Sequence, residues 1–199
     1  MAVASTADHK LAILGAGPAH RHKRRFDRII GCYDPDVSPK HVIRFHRQPA
    51  PNLLVLKFVD LDFPPPPPHD ERKELQLATR EQVEQALAFD SPGESLLIHC
   101  HAGISRSTAV AYAILAARLG PGAEAAAIEA LYSLQPNAVP NRHIVALADE
   151  ILGRGGALLA ALDERELGDD AARTRRTANR QSYFDFYGCG ALEADSPRR

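Results

Sequence analysis

The passage from "SLLIHC" to "STAVAYAILAARLG", residues 95 to 120, constrains the fold more than any other part of the chain. An apolar run of strand length ends at His99-Cys100, five residues ("HAGIS") follow, and Arg106 then leads into an Ala- and Leu-rich stretch. That stretch has helix-forming composition and is stopped by Gly120-Pro121. Both flanks are apolar enough to be buried, so the five residues between them must turn at the end of a sheet strand and open a helix. Packing alone does not call for such a junction, which points to a chemical use.

Four further runs, "LAILG" (11 to 15), "FDRIIGCY" (26 to 33), "HVIRF" (41 to 45) and "LLVLKFV" (53 to 59), are short, rich in Ile, Leu, Val and Phe, and bounded by Gly, Pro, Asp or Asn. They read as buried strands. "ATREQVEQALAF" reads as a helix opened by a capping box of Thr79 and Gln82, and "AEAAAIEALYSL" as a second. "NRHIVALADEILG" reads as a third, capped by Asn141 and ended at Gly153. Strands come early and helices late. This order predicts an α/β fold: a three-layer-like sandwich with a mostly parallel sheet of four to five strands flanked by helices.

"GAGPAH" (15 to 20) shares two glycines with a dinucleotide fingerprint, but His20 stands at the third glycine position and Pro18 removes an N–H, so it reads as a loop. "AHRHKRR" (19 to 25) reads as a solvated basic face and "FPPPPPH" (63 to 69) as polyproline II. Residues 1–167 form one expected domain and 168–199 a polar tail, in which the four aromatics of "SYFDFYG" (182 to 188) favour docking.

Composition excludes several partners. A net charge of −1 gives no bulk attraction to nucleic acid or anionic membrane. The apolar runs are too short or broken for membrane insertion. Three widely spaced cysteines, Cys32, Cys100 and Cys189, with no signal-type apolar core at the start, point to a reducing cytoplasm. Cys32 and Cys189 read as structural rather than as resolving thiols. The pattern carries no signal for oligomeric state.

The junction at Cys100 has a definite chemistry. The backbone N–H groups of His101, Ala102, Gly103, Ile104, Ser105 and Arg106 and the positive end of the helix converge on one spot, which suits an oxyanion. The planar fork of Arg106 matches two phosphate oxygens at once. The same field favours a thiolate, which makes Cys100 the candidate nucleophile for in-line attack on phosphorus through a cysteinyl-phosphate intermediate. Ala102, Gly103 and Ser105 are small enough for the loop to close, and Gly103 can take a positive φ. Ser107 is placed to donate to the departing sulfur. His99 orients the loop from beneath, and His101 shapes the pocket or sits passively. Sulfur transfer, arsenate reduction and a non-catalytic phosphate-binding module use related layouts.

"HCHAGISRST" resembles the His-Cys-x5-Arg-Ser/Thr signature of the cysteine-based protein tyrosine phosphatases, and "HAGISRS" looks most like the dual-specificity branch. "LQPNAVPNRHIVALADEIL" (134 to 152) is similar to the Pro-Asn segment of that branch. "LKFVDLDFPPPPP" (56 to 68) resembles the strand and loop that carry its general-acid Asp. The likeness covers roughly residues 11 to 162, and its details fit small bacterial phosphatases. It implies the phosphatase fold, no cofactor or metal, and a phosphorylated protein or peptide as substrate, phosphotyrosine first. It also implies Asp60, in a Phe-x-Asp pattern, as the acid, with Asp62 the rival. Five prolines after this loop should stiffen it. Phosphoinositides are the second substrate class, although the signature loop lacks the Lys that lipid phosphatases of this superfamily often carry.

Overall fold

In the computed structural model the described residues are 4–6, 9–45, 51–62 and 76–187. Five strands, β1 (Ala4–Thr6), β2 (His9–Gly15), β3 (Arg28–Tyr33), β4 (Asn52–Lys57) and β5 (Leu96–Cys100), form one sheet in the order β1-β2-β5-β3-β4. Only β1 runs antiparallel. Parallel strands are covered on both faces and so read as continuous apolar runs, which is why "LLIHC" was legible. It is the central strand, and all five of its residues are buried.

The two faces carry unequal layers. Leu11, Ile13, Ile30, Leu96 and Ile98 point toward the larger core, which is completed by α2 (Arg80–Phe89), α3 (Arg106–Leu119), α4 (Glu124–Leu134), α5 (Arg142–Ile151) and α6 (Ala157–Leu167). Ala12, Ile29 and Leu97 face the smaller one, closed by Ala19, Phe26 and Ile43. The caps read from the sequence form as expected. Thr79 Oγ1 accepts from Gln82 N while Gln82 Oε1 accepts from Thr79 N, and Asn141 Oδ1 accepts from Ile144 N at 3.1 Å.

Several segments differ from expectation. "HVIRF" is turn and coil. Its one deeply buried residue, Ile43, plugs the smaller core, and its N–H donates to the Tyr33 hydroxyl at 3.0 Å. "GAGPAH" is not a loop but the start of helix α1 (Ala16–His22). Pro18 falls in the first turn, where its missing N–H leaves no helical bond unmade. The polar stretch after Gly168 continues as α7 (Asp170–Tyr187), whose Ala172 is fully buried and whose Arg176 is nearly so. The polyproline run, Cys189 and the aromatic side chains of "SYFDFYG" lie outside the described residues. No helix among the described residues is long and apolar enough to cross a membrane.

Candidate active site

Strand β5 delivers Cys100, and α3 begins at Arg106. Three carbonyls of the five residues between them are held from outside. His101 O accepts from Ala16 N at 3.0 Å, Gly103 O from Gln135 Nε2 at 3.0 Å and Ile104 O from Val139 N at 2.7 Å. In each planar peptide the following N–H points opposite its carbonyl, so the amides of Ala102, Ile104 and Ser105 turn inward. Gly103 N donates to Cys100 Sγ at 3.2 Å, and Ser107 Oγ lies 3.2 Å from the same sulfur. The sulfur therefore sits at the bottom of a cup of donors, with α3 pointing its positive end at it.

Two glycines make the cup possible. Gly103 has φ +79°, and a Cβ there would lie 2.5 Å from Gly15 N and 2.6 Å from the Leu14 carbonyl carbon. At Gly15 a Cβ would meet Ala102 O at 3.0 Å. The "GAG" run is thus the bed on which the loop lies, because β2 pairs with β5 so that Gly15 stands beside Cys100. A glycine at the end of a strand was the available signal for this contact, but the sequence does not say which strand lies beside β5.

Arg106 is 1% exposed, with Nη1 donating to Phe58 O at 3.1 Å and Asp34 Oδ1 at 2.9 Å. This fixes the guanidinium plane. Its Nε lies 3.9 Å from Asp60 Oδ2. Asp60 is buried, and its Oδ1 accepts from Ser105 Oγ at 2.5 Å and Asn141 Nδ2 at 3.0 Å. Burial pushes the Asp60 carboxyl above its ordinary range, against the opposing pull of Arg106 and these two donors. Asp62 is turned elsewhere: it accepts from Arg142 N at 2.8 Å and Arg180 Nε at 3.0 Å. Of the two carboxylates left open by the sequence, Asp60 is the one at Arg106. Sequence reasoning did not single out Asp34, which follows directly on β3.

A cavity of about 670 Å³ opens beside this group, lined by Cys100, His101 and Arg106 on one side and by Tyr33, Asp34 and Lys40 on the other. Cys32 also borders it. Burial pushes the Cys32 thiol up, so it stays protonated and packs as a small apolar group.

His99 is fully buried beneath the loop, its Nε2 3.2 Å from the Tyr33 hydroxyl and the two rings edge-on. Gly31 makes room for the pair, since a Cβ there would come within 2.5 Å of the Tyr33 ring. Burial pushes His99 down from 6.5 to about 4. The unfolded chain then holds a proton that the folded one refuses. The contribution of His99 to stability is complete well above pH 6.5 and is lost as pH drops from 6.5 toward 4, by about 3 kcal/mol in all. Denaturant unfolding across this window should show a slope in the unmodified chain that His99→Gln flattens. Equal slopes would place the acid sensitivity elsewhere.

No protein-family profile matches the chain, and neither does any curated protein. Solved structures do match. DUSP15 superposes with TM-score 0.50 at 16% identity over 87% of this chain and 94% of its own. PTPMT1 in complex with PI(5)P gives 0.50 at 15% over 77% and 94%. The PTP-2 phosphatase of Cydia pomonella gives 0.50 at 17% over 74% and 88%. The chain has the fold of the cysteine-based tyrosine and dual-specificity phosphatases.

Proposed function

We propose that the chain is a cysteine-dependent phosphomonoester hydrolase, with phosphorylated proteins or peptides, phosphotyrosine first, as its substrates. The observation that carries this reading is the seat of Cys100: a sulfur met by the Gly103 amide and the Ser107 hydroxyl, under a loop with three carbonyls tied outward, and with the guanidinium of Arg106 held on the wall of the same cavity. A phosphate dianion in the cup is held by inward amides and by Arg106, which lowers the charge repulsion facing an incoming thiolate. Cys100 Sγ attacks phosphorus in line and the ester oxygen leaves. Asp60, whose protonated form burial favours, supplies the proton to that oxygen. Water, relieved of a proton by the same carboxylate, then attacks the phosphocysteine, and Ser107 stabilises the departing sulfur. A cavity of about 670 Å³ is ample for an aromatic ring beside the phosphate. The chemistry requires a reduced thiol and so suits a cytoplasmic setting.

The test is phosphate release by the purified full chain from para-nitrophenyl phosphate with chelator present, followed by a panel of phosphopeptides, phosphoinositides and nucleotides. Release from no substrate in the panel would favour a phosphate-binding module, and release from phosphoinositides alone would move the substrate class to lipids. The role of Asp60 has its own signature. Asp60→Asn should slow phenyl phosphate by about 10² to 10⁴-fold and the activated nitrophenyl ester far less. Because the carboxyl acts while protonated, hydrolysis of phenyl phosphate should decline as pH rises through its elevated pKa, a limb that the variant lacks. Equal losses for both esters would remove Asp60 from the proton-transfer step.

A further inference from the structure

The C-terminal helix holds an ion network that no sequence motif announced. Arg176, 7% exposed, donates to both oxygens of Glu166, to Oε2 at 2.8 Å and to Oε1 at 2.5 Å. Its Nη2 also reaches Pro140 O at 3.0 Å and its Nη1 reaches Asp62 Oδ2 at 3.4 Å. One turn later Arg180 Nε donates to the same Asp62 oxygen at 3.0 Å, while Arg142 N holds the other at 2.8 Å. Pro140 directly precedes Asn141, whose side chain donates to Asp60, and Asp62 lies two residues beyond Asp60. Besides Ser105, which belongs to the loop, the two chain segments that aim the Asp60 carboxyl therefore end on one guanidinium of α7.

We infer that α7 positions the proton donor, with Arg176 and Arg180 as positioning residues that clamp the Asp60–Asp62 segment against the Pro140–Asn141 segment. This rests on the reading of Asp60 given above. The energetics favour a positioning role. Arg176 presents a rigid fork to Glu166 and a carbonyl, a geometry that an ammonium cannot reproduce. An ion network this buried adds little net stability, because desolvation offsets the attraction, yet it imposes one geometry on everything it touches. Displacing a reacting group by about 1 Å can cost about a hundredfold in rate. Of the outside ties that hold the cup around Cys100, those from Ala16 and Gln135 lie away from the clamp and that from Val139 adjoins it, so loosening α7 should leave the oxyanion site largely intact.

The experiment uses the full chain with Arg176→Met, Arg180→Gln and Asp62→Asn, beside Asp60→Asn as reference and Arg165→Gln as control. Arg165 ties α6 to Glu129 of α4 and touches none of these groups. The α7 variants should slow phenyl phosphate by about tenfold to a hundredfold. They should change para-nitrophenyl phosphate by less than about threefold and leave inhibition by vanadate, which reads the cup alone, unchanged. Arg165→Gln should show no difference between the two esters. Equal losses on both esters, weaker vanadate inhibition, or no loss at all in the α7 variants would overturn the inference. Should Arg176→Met fail to fold, Arg180→Gln and Asp62→Asn carry the same expectation and the same refutation. If Asp60→Asn itself fails to separate the two esters, the proton-donor reading falls. If Asp60→Asn separates them and the α7 variants do not, only the clamp falls.

Discussion

Cys100→Ser is expected to lower phosphate release by about four orders of magnitude or more while leaving phosphate and vanadate affinity within about tenfold. The reason is the company the side chain keeps. The sulfur's hydrogen-bond partners are the Gly103 amide and the Ser107 hydroxyl, neither of which takes up a proton at neutral pH. A thiol needs no base, because sulfur is a strong nucleophile even at its free acidity, whereas an oxygen there is weak. An alcohol needs one and finds none, so the variant binds the ester and stops. The inward amides and Arg106 are untouched by the change, which is why binding should survive. Direct titration with vanadate and a discontinuous phosphate assay separate the two effects, and residual turnover above a hundredth of the original rate would contradict the assignment.

Gly103→Ala should act through the backbone instead. An L side chain at φ +79° costs roughly 1–2 kcal/mol. The Cβ would also be driven to 2.5 Å from Gly15 N and 2.6 Å from the Leu14 carbonyl carbon, backbone atoms of the neighbouring strand that cannot swing aside. Adding an overpacking cost of roughly 1–3 kcal/mol gives roughly 2–5 kcal/mol in total, or a fall in melting temperature of about 6–15 °C for a chain of this size. Relief requires the loop to lift from β2, which would pull the Gly103 amide off the sulfur. Activity should therefore fall at temperatures where the variant is still fully folded. Ala at position 93, where φ is also positive but open space surrounds the residue, should show only the conformational part of the cost.

The candidate site was more legible than the scaffold that aims it. Cys100, Gly103, Arg106 and Ser107 are close in sequence, so local rules of strand end, tight loop and helix start brought them together on paper as they are in space. The caps at Thr79 and Asn141 were legible for the same reason. What escaped was set by distance along the chain. Gly15 looked like part of a loop because its partner, Gly103, lies in the loop after another strand. The helix from Ala16 has no apolar period to reveal it, only one buried alanine, Ala19. "HVIRF" carries strand-like residues but anchors through Ile43 alone. The last helix is mostly polar up to Ser182, and among the described residues it is docked by Ala172, by Arg180 and by a buried arginine paired with residues up to 114 positions away. The Phe-x-Asp likeness put Asp60 ahead of Asp62, but only the fold places one at Arg106 and the other at α7.

The most direct measurement is a rapid quench of the full chain during turnover of para-nitrophenyl phosphate, followed by mass mapping of the proteolysed protein. The account predicts a phosphate adduct on the peptide containing Cys100, absent from Cys100→Ser. Rapid turnover with no adduct at any quench time, or an adduct on another side chain, would contradict attack by this sulfur.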